Sequence, residues 1–172
     1  MNIRIICLGK IKEKSLAELI HEYKKRISKY ANFEIVELQD ESIKTTPSEK
    51  DILNIKKIEA DKIKNKIQNS DFVVCLDQTG KQLTSEELSD KIQDITLKGF
   101  STIDFIIGGT TGLDRELVNN SNLVLSFSKL TFPHQLIRLF LSEQIFRAFK
   151  IMNNERYHWW TSYLFTNRNY YF

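Results

Sequence analysis

The sequence of 172 residues is poor in the residues that punctuate or crosslink a chain: it has two prolines, six glycines and two cysteines. So little proline and glycine leaves no room for a long flexible linker, and we therefore predict a single domain. Two cysteines exclude a disulfide-rich scaffold, and their positions inside apolar runs predict free, buried thiols. The three histidines and two cysteines show no metal-ligand spacing, so we expect no metal.

Long apolar runs are also absent. None approaches the ~18 residues of a membrane-spanning helix, and the N-terminal apolar stretch is too short for a signal peptide, so we expect a cytoplasmic protein with no membrane partner. The excess of positive charge is small, with 25 Lys and Arg against 22 Asp and Glu, and it lies within residues 1–70. This balance allows a phosphate-bearing partner without requiring one.

Short apolar runs alternate with longer segments of helical period. The runs predict strands at residues 3–8, 33–38, 72–76, 103–107 and 123–127, and the longer segments predict helices at residues 15–29, 49–67, 84–98 and 134–152. Thr84 followed by Glu87 is typical of a capping box at the start of the third helix. The alternation predicts an α/β fold around a mostly parallel sheet flanked by helices.

Two turn-rich loops follow the last two predicted strands. The first has the run GGTTG over residues 108–112, and the second has the run FSKLTFPH over residues 127–134. Ligands of open α/β sheets bind beyond the carboxyl ends of the strands, so we expect the two turns to meet in one cleft. Two plainer interpretations stay open: the first turn only connects a strand to residues 113–120, and Thr131 only caps the helix that follows.

The glycine-rich turn argues against several common kinds of site. Its order differs from the G-x-G-x-x-G fingerprint of dinucleotide-binding proteins, and no P-loop lysine follows it. The sequence also has no G-x-S-x-G elbow or Cys-His signature of covalent catalysis. Glycine at this place does allow the backbone to approach a bulky ligand closely.

The last predicted helix is unusually apolar, since 11 of the 17 residues from 136 to 152 are Leu, Ile, Phe, Met or Ala. Such a wide apolar surface cannot all pack on one sheet. Either the helix is central to the domain or its second face contacts another copy of the chain, and we favour a homodimer.

Few polar residues interrupt that helix. A buried arginine is costly unless it is paired, so Arg138 is either a paired structural residue or a ligand for phosphate or substrate. Glu143 is expected to pair with Arg147 one turn later. His134, at the start of the helix, either caps it or contacts a ligand.

A set of short motifs runs in order from residue 1 to about residue 158. They are Gly9-Lys10, Leu76-Asp77, Gly80-Lys81, the run IGGTTGL at 107–113, the run LSFSKLTFPH at 125–134, Arg138, Glu143-Gln144, Arg147-Ala148 and Tyr157-His158. Together they resemble the RlmH family. These are small SPOUT-class enzymes that methylate N3 of a pseudouridine in bacterial 23S ribosomal RNA.

The resemblance implies a SPOUT-type α/β knot, in which the C-terminal segment forms a trefoil knot, and a homodimer that acts on the ribosome with S-adenosyl-L-methionine as cofactor. By position, the cofactor contacts fall on Leu76, Gly108, Phe127, Ser128, Lys129, Leu130, Thr131 and Phe132. The candidate catalytic residues are His158 and Tyr157, for proton removal or substrate orientation, and Arg138, for phosphate or the developing anion.

The chain departs from the family at its end. We predict one methyltransferase domain over residues 1–158 and an atypical extension over residues 159–172, where 7 of 14 residues are aromatic. The extension either stacks on bases, packs as a neutral tail, or reflects where the reading frame ends. For the whole chain, the alternative function is a non-catalytic RNA-binding or ribosome-associated module.

Overall fold

The computed structural model describes residues 1–155, and its elements follow the predicted alternation. The strands are β1 Asn2–Leu8, β2 Asn32–Leu38, β3 Phe72–Gln82, β4 Thr102–Ile107 and β5 Leu123–Ser126. The helices are α1 Lys14–Ile27, α2 Glu49–Lys64, α3 Ser85–Leu97, α4 Arg115–Asn119 and α5 His134–Met152. The predicted capping box of α3 is confirmed, because the Glu87 backbone N–H donates to the Thr84 side chain and the Glu87 carboxylate accepts from the Thr84 N–H.

The five strands form one sheet in the order β2-β1-β4-β3-β5, and every neighbouring pair is parallel. The predicted α/β class is therefore confirmed. Since all strands point the same way, the segments that follow them emerge at one edge of the sheet, the carboxyl edge. The central strands β1 and β4 are buried on both faces, as expected of a parallel sheet with helices on each side, whereas the edge strand β2 and the second half of β3 are partly exposed.

Alternate residues along the strands enter two separate cores. On one face, Ile5 and Phe105 pack with apolar side chains of α1, α3 and α5. On the other face, Ile6 and Ile106 pack with apolar side chains of α2 and α4. The helices on the two faces thus hold the strands rigidly, and the loops at the carboxyl edge are built on a fixed frame.

Strand β3 is longer than the prediction, which ended it at residue 76. It pairs with β5 in two stretches, and the register shifts between Leu76 and Lys81. Residues 77–80 therefore form a bulge between the two paired stretches. A Cβ at Gly80 would lie only 2.6 Å from the carbonyl carbon of Leu125, so this position has room for hydrogen alone.

Helix α5 packs against both α1 and α3 and buries Leu141 and Ile145 completely. It is therefore central to the domain, which was one of the two predicted alternatives. It also leaves Leu136 and Phe140 exposed. The predicted pair within the helix is confirmed, since Arg147 Nη2 lies 2.6 Å from Glu143 Oε1.

Both cysteines are free and buried, as predicted. Burial raises the pKa of Cys7 and of Cys75 to about 11. Within residues 1–155 we find no helix with the length and apolar character needed to cross a bilayer.

Candidate functional site

A cleft of about 580 Å³ opens at the carboxyl edge of the sheet. Its walls are residues 76–79 after the first part of β3, residues 107–113 after β4 and residues 125–134 without Lys129, with Lys56, Arg115 and Ile137 at its margins. Gly108 and Leu130 both line it, so the expectation that the two late turns meet in one cleft is confirmed.

The first turn is held tightly by its glycines. The Gly112 N–H donates to the Gly109 carbonyl at 3.1 Å, and Gly112 has a φ of +78°, which favours glycine. A Cβ at Gly108 would lie 2.9 Å from the carbonyl carbon of Gly112. A side chain at residue 108 would therefore push the turn apart.

The second turn is held by its own hydroxyl groups. Ser126 Oγ donates to the Ser128 carbonyl at 3.0 Å, and Ser128 Oγ accepts from the Leu130 N–H at 3.0 Å. Helix α5 then begins after Pro133, and no side chain caps it. The interpretation that Thr131 only caps this helix is wrong, because Thr131 lines the cleft instead.

Most of the predicted cofactor-binding residues come together in the cleft. Those that line it are Leu76, Gly108, Phe127, Ser128, Leu130, Thr131 and Phe132. Lys129 is the exception, since its exposed side chain does not line the cleft. The binding role of each residue stays a prediction.

The bulge of β3 adds side chains that the motifs did not single out as ligands. Asp77 Oδ1 accepts from the Thr79 N–H at 2.9 Å and from Thr79 Oγ1 at 2.6 Å. Burial opposes ionisation of Asp77, but these hydrogen bonds and the nearby Arg115 and Lys56 outweigh it and hold its pKa below the usual value. Asp77 is therefore an anion in the cleft at neutral pH.

His134 lines the cleft at the first residue of α5. Its ring is half-buried. Burial, together with the charge of Arg138, lowers the pKa of His134, and Asp40 opposes this shift. The imidazole is therefore mostly neutral near pH 7, and it makes no capping hydrogen bond to α5.

Arg138 has no exposed surface and does not line the cleft. Its Nη1 donates to Glu37 Oε1 at 3.0 Å, and its Nη2 donates to the Leu8 carbonyl. The arginine thus ties α5 to the carboxyl ends of β1 and β2. Its Nε has no hydrogen-bond partner among residues 1–155. These contacts give it a paired structural role, and its predicted role toward substrate stays a prediction.

The two other candidate catalytic residues, Tyr157 and His158, lie outside the described residues. The same holds for the aromatic extension, residues 159–172.

A parallel sheet with a ligand-sized cleft at its carboxyl edge is typical of α/β proteins that bind small molecules beyond their strand ends. A solved structure agrees with this fold. A probable methylase family protein from Haemophilus influenzae Rd KW20 superposes with a TM-score of 0.51 at 12% identity, over 91% of this chain and 70% of that chain.

Sequence comparison identifies the family. The family described as "Predicted SPOUT methyltransferase" matches residues 1–158, and this chain belongs to it. The chain is 52% identical over 158 residues to Ribosomal RNA large subunit methyltransferase H of Clostridium novyi (strain NT), covering 92% of this chain and 99% of that protein. It is 49% identical to the protein of the same name from Streptococcus uberis (strain ATCC BAA-854 / 0140J), with the same coverage.

Proposed function

We propose that this methyltransferase transfers a methyl group from S-adenosyl-L-methionine to N3 of a pseudouridine in 23S ribosomal RNA. The observation that carries the proposal is the meeting of the two late turns in one cleft at the carboxyl edge of the sheet. The names of relatives about 50% identical support ribosomal RNA as the substrate. The motifs of the RlmH family support the particular nucleotide and atom.

The cleft suits this cofactor in size and in chemistry. Sites for ligands of this size have volumes of roughly 300–1,000 Å³, and the cleft lies within that range. Leu76, Leu125 and Ile137 give it apolar walls for a purine ring, and the turn at Gly108 exposes backbone. Thr111 Oγ1 is buried without a hydrogen-bond partner among the described residues, so a ligand could supply one. When bound, the cofactor supplies an electrophilic methyl group, and the protein mainly positions it.

The residues of this chain must also remove a proton, because N3 of a uracil-type ring is protonated and a poor nucleophile. We propose His158 as the base, with Tyr157 orienting the substrate, and Arg138 as the group that stabilises the developing anion. The trefoil knot of the SPOUT class is likewise part of this proposal.

Two measurements test the function together. Calorimetric titration with S-adenosylhomocysteine should give a single site, and ribosomes that lack the modification should gain one methyl group, located by mass spectrometry of the RNA. Binding without methylation would favour a different substrate. No binding at all would favour the non-catalytic RNA-binding module.

The proposed role of His158 as the base predicts a loss of methylation rate without a loss of cofactor affinity. His158→Ala should lower the methylation rate by about 10²-fold or more while the affinity for S-adenosylhomocysteine stays unchanged. His134→Ala provides a matched comparison, because His134 lies in the cleft and is mostly neutral near pH 7. A full methylation rate in the His158 variant together with a large loss in the His134 variant would transfer the role to His134.

The backbone of Gly108 lies close to that of Gly112 in the first turn, and this contact leads to a second prediction. Gly108→Ala should weaken binding of S-adenosylhomocysteine by at least tenfold, because the added Cβ would meet Gly112 at 2.9 Å and deform the wall of the cleft. Gly109→Ala is a comparison within the same turn, since Gly109 also lines the cleft but a Cβ there has only ordinary contacts at 3.5 Å. Equal affinities of the two variants in calorimetry would contradict this role of the turn.

We further propose that the protein is a homodimer and that its contact is an apolar patch that shares Leu130 and Phe132 with the cleft. The patch consists of Leu130, Phe132, Leu136 and Phe140, which are 71%, 39%, 37% and 43% exposed. The rings of Phe132 and Phe140 pack edge to face with centroids 5.8 Å apart. Exposed apolar side chains that pack on one another, as Phe132 and Phe140 do, are typical of interfaces.

Phe140→Asp should therefore convert the dimer to a monomer, because a carboxylate placed in an apolar interface must lose its hydration. Light scattering after size-exclusion chromatography measures the change. Leu53→Asp is the control, since Leu53 is 65% exposed on α2, away from the patch. A wild-type protein that is already monomeric would contradict the proposal, and so would a Phe140 variant that remains dimeric.

A further inference from the structure

Charges of both signs meet at the part of the cleft formed by α2, the β3 bulge and the start of α4. Lys56 comes from α2, Asp77 from the bulge and Arg115 from the first position of α4, and all three line the cleft. Arg115 Nη1 lies 3.9 Å from Asp77 Oδ1. Lys56 Nζ lies 3.9 Å from the position that a Cβ of Gly112 would occupy. This charged end thus borders the first turn.

The carboxylate of Asp77 is only partly used by the protein. Its two hydrogen bonds from Thr79 and its ion pair with Arg115 all fall on Oδ1. Oδ2 accepts no hydrogen bond from any residue between 1 and 155. The Thr79 contacts fix the orientation of the carboxylate, and Oδ2 can accept from a ligand.

The ammonium group of Lys56 is likewise available to bind a ligand. Lys56 is half-buried, and its ammonium makes neither a hydrogen bond nor an ion pair within 4.0 Å in the part of the chain that the structure describes. The unpartnered hydroxyl of Thr111 lies in the adjacent turn. A half-buried cation and an oriented anion in one cleft suit a ligand that carries both charges, because Lys56 attracts its anionic group and Asp77 attracts its cationic group.

We propose that Lys56 and Asp77 bind the amino-acid end of the cofactor, with Lys56 donating to its carboxylate and Asp77 Oδ2 accepting from its ammonium group. This inference rests on the proposed function, since it places one end of S-adenosyl-L-methionine within the cleft. Both contacts are charge-assisted hydrogen bonds, which are stronger than neutral ones. The apolar part of the cleft and the second turn remain for the adenosine.

Three ligands allow the Lys56 contact and the Asp77 contact to be tested separately. S-Adenosylhomocysteine carries both charged groups, its decarboxylated analogue keeps only the ammonium group, and methylthioadenosine lacks both. Each is titrated by calorimetry into the full-length wild-type protein, Lys56→Ala, Asp77→Asn and Lys57→Ala. Lys57 is the matched control, because it is the next residue on α2, is exposed and does not line the cleft.

Lys56→Ala should weaken binding of S-adenosylhomocysteine about tenfold and leave the other two ligands within about twofold of wild type. Asp77→Asn should weaken S-adenosylhomocysteine and the decarboxylated analogue about tenfold and leave methylthioadenosine unchanged. Lys57→Ala should bind all three like wild type. Unchanged methylthioadenosine affinity also verifies that each variant is folded.

The outcomes distinguish this inference from the proposed function. If wild-type protein binds none of the three ligands, the proposed function fails and the inference fails with it. If wild type binds them but Lys56→Ala weakens all three equally, or none, the inference is overturned while the function stands. Loss of ribosome affinity in Lys56→Ala, with S-adenosylhomocysteine binding intact, would also overturn it and assign Lys56 to RNA.

Discussion

Arg138→Ala is expected to lower the free energy of unfolding by about 3 kcal/mol, the lower end of the range for breaking a buried ion pair. The arginine has no exposed surface, whereas Glu37 is 31% exposed and can recover some hydration. Removal also leaves the Leu8 carbonyl without this donor and frees the start of α5 from β1 and β2. Equilibrium denaturation in urea, followed by circular dichroism, measures the loss.

Arg147→Ala is the matched control for this prediction. It removes the same side chain from the same helix, but Arg147 is 26% exposed and pairs with Glu143 one turn away. Because this pair keeps some contact with water on both sides, we expect a smaller loss than for Arg138, on the order of 1 kcal/mol. Equal losses in the two variants would show that burial does not determine the contribution of Arg138.

Gly80→Ala is expected to destabilise the protein by about 2–3 kcal/mol, because the new methyl group meets backbone rather than a flexible side chain. Its Cβ would lie 2.6 Å from the Leu125 carbonyl carbon and 2.7 Å from the Val124 carbonyl oxygen. The second stretch of pairing between β3 and β5 would have to separate. Since residues 77–79 lie in the bulge just before it, affinity for S-adenosylhomocysteine should fall as well.

Gly99→Ala separates this steric effect from a conformational one. A Cβ at Gly99 meets nothing within 4 Å, but the residue has a φ of +88°. We expect a cost of about 1 kcal/mol from the left-handed backbone alone, with ligand affinity unchanged. A Gly80 variant as stable as wild type in urea denaturation would show that β3 and β5 separate there without penalty.

The sequence predicts most of this fold because its strands are short apolar runs with clear boundaries. The run at residues 103–107 contains Asp104, and it still forms β4, where Arg4 pairs with that carboxylate at 2.6 Å. The second half of β3 could not be predicted in the same way. Asp77, Thr79 and Gly80 favour a turn locally, and only pairing with β5 extends the strand to Gln82.

The same distinction between local sequence signals and packing applies to the candidate site. The glycine-rich turn at residues 108–112 and the turn before Pro133 are local signals in the sequence, and both turns line the cleft. The charged end of the cleft, formed by Lys56, Asp77 and Arg115, could not be predicted from the sequence. Lys56 lies on a lysine-rich helix next to Lys57, and nothing in the sequence separates them; only the packing of α2 under the first turn brings one of them to the cleft.

The two buried cysteines can serve as native probes of local unfolding in the two cores. Burial shields each thiol from reagents and raises its pKa to about 11, so each should react with iodoacetamide much more slowly than a solvated cysteine. One thiol lies in each core, Cys7 beside α5 and Cys75 beside α4. Alkylation rates read by peptide mass spectrometry would therefore reveal, without any introduced label, whether the two sides of the sheet loosen together or one before the other.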